Sequence, residues 1–219
     1  MSSKAKKQSS VREIISLGLI LALYALASCT VLAVVNAFTA PTIKQNQIEK
    51  TNLAMKAVFQ DADSFEELDS FVPSSEKSIS VNKVVVAYQN GKVIGAIAEV
   101  EGPTYDRASI LIGVNTQGNV KGLQFLSNTD SPGFGQKAGD KNFHLANGNT
   151  FYGQFTGLTV ADGFVLNKTL DSISGATITS QGVANLAKEG ASSAMKALEN
   201  FMEESDEKSS DISSMGDEE

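Results

Sequence analysis

The chain has one cysteine, one histidine and no tryptophan among its 219 residues. A lone cysteine excludes an internal disulfide and a cysteine-based metal cage, and a lone histidine argues against a multi-histidine site. Zinc enzymes and Cys/His proteases fall away, and no metal is expected. A basic excess is also missing: 18 Lys and Arg stand against 25 Asp and Glu, with no basic stretch interleaved with aromatics, so nucleic acid is not an expected partner. The length fits about one to one and a half domains of roughly 100 to 150 residues, which excludes two large ones.

The charge that is present is unevenly placed. Residues 203–219 hold eight acids and one base, Lys208, so the whole net charge of -7 resides there. That stretch has no aromatics and much serine, a composition that buries too little apolar surface to offset the entropy of ordering. It is expected to be a disordered, solvated tail.

Residues 14–43 contain no formal charge. A bilayer core of ~30 Å needs about 20 apolar helical residues, and a helix over residues 14–37 meets that, with Pro41 marking the exit. Lys4, Lys6, Lys7 and Arg12 precede it, which places residues 1–13 in the cytoplasm and the rest of the chain outside. The run exceeds the 7–15 apolar residues of a cleavable signal. Leu26-Ala27-Ser28-Cys29 resembles a lipobox, but lipidation at Cys29 would strand apolar residues 30–40, so a retained anchor is favoured.

Beyond the membrane, Ile48, Leu53, Met55, Val58 and Phe59 form a loose helical stripe that reads as a stalk. Residues 38–80 serve as stalk and connection, with a short helix at Ser64 to Leu68. Residues 81–88 and 92–100 are β-branched runs joined by Gln89-Asn90-Gly91, a hairpin signal. Residues 108–115 and 119–126 repeat the pattern around Thr116-Gln117-Gly118. Four antiparallel strands are expected. Residues 127–170 are rich in turn residues and read either as a functional loop or as short strands. A helix should begin at Thr179 or Ser180, carry Val183, Leu186, Ala187, Ala191, Ala194, Met195 and Leu198 on its buried face, and end near Met202. Residues 81–202 thus form an α+β domain, an antiparallel sheet packed by helices.

The segment Asp171-Ser172-Ile173-Ser174-Gly175-Ala176-Thr177-Ile178-Thr179-Ser180 runs into that last helix. A helix start offers unpaired N–H groups and a positive dipole end to a phosphate. Gly175 and Ala176 leave the Thr177 hydroxyl approachable, and Ser174, Thr179 and Ser180 add donors. From these residues alone, a plain helix N-terminus with redundant caps remains the simpler account.

Asp171, Ser174, Gly175, Ala176 and Thr177 match the D-x-x-S/T-G-A-T pattern at which bacterial flavin transferases attach FMN through a phosphoester to the final threonine. With Thr179-Ser180, the segment resembles the FMN-binding domain of the G subunit of Rnf-type ion-translocating oxidoreductases and its relative, the C subunit of the sodium-translocating NADH:quinone reductase. Asp130-Ser131-Pro132-Gly133-Phe134-Gly135-Gln136-Lys137 is similar to the family's E-T-P-G-L-G-x-K segment, with Asp for Glu, Ser for Thr and Phe for Leu. The family's Gly-Tyr-Gly-Gly stretch appears only as Gly102-Pro103-Thr104-Tyr105-Asp106-Arg107.

The resemblance implies a single-pass protein of the bacterial cytoplasmic membrane whose extracytoplasmic domain carries FMN on Thr177. It implies that Pro132, Gly133 and Gly135 let backbone approach the flavin, that Lys137 offsets its charge, and that Asp171 serves recognition by the transferase. No residue is expected to be catalytic in its own right, and His144, Tyr88, Tyr105 and Tyr152 receive no role. The implied function is electron relay within a complex of membrane, iron-sulfur and flavin subunits that couples ferredoxin and NAD to Na+ or H+ transport. The C subunit of the quinone reductase is the alternative within the same class. A membrane-anchored module that binds a phosphate or a partner without redox chemistry is the alternative outside it.

Overall fold

The computed structural model describes residues 2–214, with side chains described from 12 to 205. Met1 and the side chains of Lys4, Lys6 and Lys7 lie outside the described residues. The chain divides into two units, Met1–Glu49 and Lys50–Glu219.

Helix α1 is assigned to Ser2–Val58. Its apolar residues in the first unit, among them Ile14, Leu21, Leu26 and Leu32, are exposed, and the helix is long and apolar enough to cross a membrane. Cys29 is a free, exposed thiol. Pro41, expected to mark an exit, lies inside the helix. Proline removes one N–H donor and crowds the carbonyl four residues back, a cost that long apolar helices accommodate where hydroxyls reuse the carbonyls. Nearby, Thr39 Oγ1 donates to the Val35 carbonyl at 2.9 Å and Thr30 Oγ1 to Leu26 at 2.8 Å.

The second unit is built on a sheet of β1 (Ser64–Glu67), β2 (Ser80–Gln89), β3 (Lys92–Pro103), β4 (Arg107–Asn115) and β5 (Val120–Asn128). The strands lie in sequence order and every neighbouring pair is antiparallel. Asn90 and Gly91 take φ of 51° and 73°, the paired positive angles of a tight hairpin. The β4–β5 turn is held by the Asn115 side chain, whose Oδ1 accepts from the Gln117 and Asn119 N–H groups at 3.0 and 2.8 Å. Both hairpins and all four expected strands are present. The expected helix at Ser64 to Leu68 is instead β1, with Phe65 opposite Ala87. Pairing with the edge of β2 overrides the weak helical reading of so short a segment.

Both faces of the sheet are buried, which explains its β-branched runs. On one face Val84, Val86, Val100, Ile110 and Ile112 pack with Val183, Leu186, Ala187, Ala191 and Leu198 of α2 (Thr177–Ser214). On the other, Val85, Ala87, Ile97 and Leu111 cover Met55, Val58, Phe59 and Ala62, so the stripe read as a stalk is also a core element. Beyond the end of β5 at Asn128, the section up to Leu170 supplies only isolated bridges, at Thr159 and between Leu166 and Leu170, and two 3-10 turns, Gly135–Gly139 and Tyr152–Phe155. It also supplies an aromatic cluster in which the Phe155 ring lies 5.8 Å from Phe151 and 5.5 Å from Phe164.

Helix α2 begins two residues earlier than expected and runs beyond Met202 to Ser214. Residues 203–214 are therefore helical where a disordered tail is expected from composition, and 215–219 lie outside the described residues. Once a buried helix is nucleated, each further residue needs to fix only its own backbone for one new bond. Glu203, Glu204, Glu207 and Lys208 favour that extension.

Candidate functional site

The turn before α2 is set by glycine and closed by serine. Gly175 takes a φ of 79°, a conformation costly to any residue with a Cβ. The Ala176 N–H donates to Ile173 O at 2.9 Å. Ser180 Oγ accepts from the Ile173 N–H and donates to Ala176 O, both at 3.0 Å. Ser180 is fully buried, so it fastens the turn and cannot serve as the ligand donor expected of it. The first helical bond is Ser180 N to Ala176 O, at 2.9 Å. The N–H groups of Thr177, Ile178 and Thr179 precede it, and they are the donors a helix start leaves for a ligand.

Thr177 opens the helix and is exposed. Beside it lies a cleft of about 530 Å³, within the range of small-molecule sites. Its lining from the helix end is Gly175, Ala176, Thr177, Ile178 and Thr179; from the loop after β5, Ser131, Phe134 and Gly135; from the β3–β4 turn, Tyr105. Tyr105, Phe134 and Ile178 are large apolar groups left exposed at this rim. A flat aromatic ligand would cover them, while the helix end and the Thr177 hydroxyl would receive its phosphate. The donor set fits an aromatic phosphate such as a flavin nucleotide.

Behind the wall stands Asp130, 0% exposed. Oδ1 accepts from Thr104 Oγ1 at 2.6 Å and from the Asp106 N–H at 2.7 Å. Oδ2 accepts from Thr179 Oγ1 at 2.6 Å and from the Tyr105 N–H at 3.4 Å. One carboxylate thereby joins all three walls of the cleft. Burial pushes its pKa up, but the Thr104 and Thr179 hydroxyls and the Asp106 and Tyr105 amides outweigh that, and it lies below the ordinary carboxylate value.

Gly135 packs against this carboxylate. A Cβ there would fall 2.6 Å from both Asp130 Cβ and Thr179 Oγ1, so the close approach admits only glycine. At Gly175 a Cβ would meet the Phe134 ring at 3.3 Å.

The expected site residues therefore separate. Gly175, Ala176, Thr177, Thr179 and Gly135 meet at the cleft, although the Thr179 hydroxyl is committed to Asp130. Ser174, Pro132 and Gly133 are exposed nearby without lining it. The Lys137 Nζ lies over the rings of Phe143 and Phe134, 5.0 and 6.0 Å from their centroids, and is outside the lining. Asp171 is exposed: its Oδ2 accepts from Asn147 Nδ2 at 2.8 Å, and its N–H donates to Gln154 Oε1 at 2.9 Å. His144 is exposed, with Nδ1 3.1 Å from the Asn142 carbonyl oxygen. Sequence reasoning missed Asp130, Tyr105, Phe134 and Ile178. Asp130 and Phe134 stand in the quoted loop only as substitutes for Glu and Leu, and Tyr105, which receives no role from sequence, sits on the β3–β4 turn where the fold turns it toward the cleft.

A model of the FMN-binding domain matches residues 105–192, and one of the RnfG N-terminal region matches residues 1–58. The G subunit of the Na(+)-translocating ferredoxin:NAD(+) oxidoreductase complex of Acetobacterium woodii is 27% identical over 203 residues, which cover 84% of this chain and 93% of that protein. The G subunit of the ion-translocating oxidoreductase complex of Methanosarcina acetivorans is 30% identical over 155 residues, 67% of this chain and 76% of that protein. The protein of the same description from Escherichia coli K12 is 28% identical over 184 residues, 78% and 86% of the two chains.

Proposed function

The chain belongs to the family of G subunits of ion-translocating oxidoreductase complexes, and from that premise we propose that it is the electron-transfer subunit of an Rnf-type complex, with FMN esterified through its phosphate to Thr177. The observation that carries this reading is the exposed Thr177 hydroxyl at the opening of α2, beside a cleft rimmed by Tyr105, Phe134 and Ile178.

FMN supplies the redox chemistry, accepting one or two electrons, and the protein supplies position and electrostatics. The first-turn N–H groups and the positive end of α2 favour the phosphate. Gly175 keeps the approach to Thr177 free of a side chain, and the aromatic rim excludes water from a ring. Thr177 is an attachment point that is not consumed in turnover. Asp171, exposed six residues before it, is recognised by the flavin transferase that makes the ester.

Residues 14–37 span the cytoplasmic membrane, residues 1–13 remain in the cytoplasm, and the flavin domain, residues 81–202, faces outside. The spanning segment carries no charged residue, so the path for Na+ or H+ lies in partner subunits, which include membrane, iron-sulfur and flavin proteins. Electron flow between ferredoxin and NAD is coupled to that transport by the complex as a whole.

The test is a denaturing gel of protein produced together with the transferase. The expected result is a flavin-fluorescent band that disappears on Thr177→Val. A band that survives the substitution defeats the assignment.

A further inference from the structure

Asp130 combines two properties that its hydrogen bonds alone do not require. It is wholly buried, and its carboxylate stands one residue behind the cleft wall. Thr179 and Gly135 both line the cleft; Oδ2 is 2.6 Å from Thr179 Oγ1 and would be 2.9 Å from a Cβ at Gly135. Every donor it accepts from, the Thr104 and Thr179 hydroxyls and the Tyr105 and Asp106 amides, is a neutral dipole. Such dipoles hold a negative charge in place without cancelling it. Lys137, on the same loop, is over the rings of Phe134 and Phe143 and makes no ion pair with it among the described residues. A fixed charge in a poorly screened interior acts strongly on anything bound a few ångströms away.

We propose that Asp130 is a positioning residue that also sets the electrostatic level of the site, so that a flavin held at Thr177 takes up electrons less readily than it would beside a neutral wall. The inference rests on the FMN reading above. Adding an electron to a ring beside a fixed negative charge is opposed by that charge, so Asp130 lowers the reduction potential of the bound flavin. Its grip on Thr179 and on the turn carrying Tyr105 keeps the cleft walls in register while it does so.

The experiment is a redox titration of flavin-loaded protein, followed by visible absorbance, on the wild type, Asp130→Asn and Thr104→Val, with a melting curve for each. Asn keeps the size and can reorient to accept from Asp106 while donating to Thr179, whose hydroxyl can rotate. Asp130→Asn should move the midpoint positive by about tenfold in the reduced-to-oxidised ratio, ~59 mV for a one-electron couple. Thr104→Val removes one dipole oriented against the charge, so the unchanged charge is felt more strongly in the cleft and the midpoint should move negative. Loosening of the fold would not produce shifts of opposite sign.

Wild-type potentials in both variants overturn the role of Asp130 while leaving the FMN reading intact. Shifts of the same sign overturn it as well. Wild-type protein that takes up no flavin overturns the reading beneath it, and the inference with it. Should Asp130→Asn fail to fold or load, Thr104→Val decides alone: a negative shift supports the proposal, and an unchanged midpoint overturns it.

Discussion

Thr179 Oγ1 donates to Asp130 Oδ2 at 2.6 Å across 49 positions of sequence, tying the first turn of α2 to the loop that leaves β5. Because Asp130 also accepts from Thr104 and the Asp106 amide, its removal strands several buried donors at once. Asp130→Ala should lower unfolding free energy by roughly 3 kcal/mol, in line with buried donors left without partners. Urea denaturation at neutral pH measures it, and a loss under about 1 kcal/mol would mean that water or rearrangement satisfies those donors.

The same carboxylate predicts an acid limb. Asp130 and Glu189 both lie below their ordinary values. For Glu189, burial opposes the shift, and the Ser74 and Ser75 hydroxyls at 2.8 and 2.7 Å and the Ser75 amide at 2.7 Å outweigh it. With the folded pKa depressed, the unfolded chain takes up protons first as pH falls. The stabilisation is therefore full above the ordinary carboxylate range and is lost as pH drops through the lowered folded values. Urea midpoints measured from about pH 7 to about pH 3 should decline, and the decline should be shallower in Glu189→Gln. An identical slope in that variant would show that Glu189 carries none of it.

Close contact of α2 with the sheet gives a packing test. A Cβ at Gly190 would lie 2.4 Å from Val100 Cγ2 and 2.8 Å from Ile112 Cγ2. In an exposed helix interior Gly→Ala stabilises by about 1 kcal/mol; here overpacking should reverse the sign and cost roughly 1–3 kcal/mol. Thermal melting of Gly190→Ala settles it, a raised melting temperature being the contrary outcome.

What could be read without the structure was what period and turn chemistry encode. Asn90-Gly91 announces its hairpin by itself, and the spacing of Val183, Leu186, Ala187 and Ala191 announces a helix face. Thr177 was legible because its neighbours form a contiguous motif. Asp130 was not, because its meaning lies in Thr104 and Thr179, which only the fold brings to it. β1 was misread since four residues carry too little periodicity to tell a helix from a strand, and the edge of β2 decides the matter. The helical course of residues 203–214 escaped for a related reason, as composition reports burial and is silent on propagation from a helix already formed.

The two glycines of the loop after β5 should respond differently to alanine. Gly133 has a φ of 76° and open space around it, so Gly133→Ala pays only backbone strain, roughly 1 kcal/mol, and should leave flavin attachment at Thr177 unchanged. At Gly135 no positive φ is involved, but a Cβ would sit 2.6 Å from Asp130 Cβ and from Thr179 Oγ1. The methyl group must displace Asp130 or the first turn of α2, and either movement separates the walls of the cleft. Gly135→Ala should therefore lose roughly 1–3 kcal/mol and carry less flavin per protein, read as the ratio of visible to protein absorbance after purification. Equal flavin content in the two variants would mean that the cleft tolerates movement of its wall, and that the contact at Gly135 matters to the fold alone.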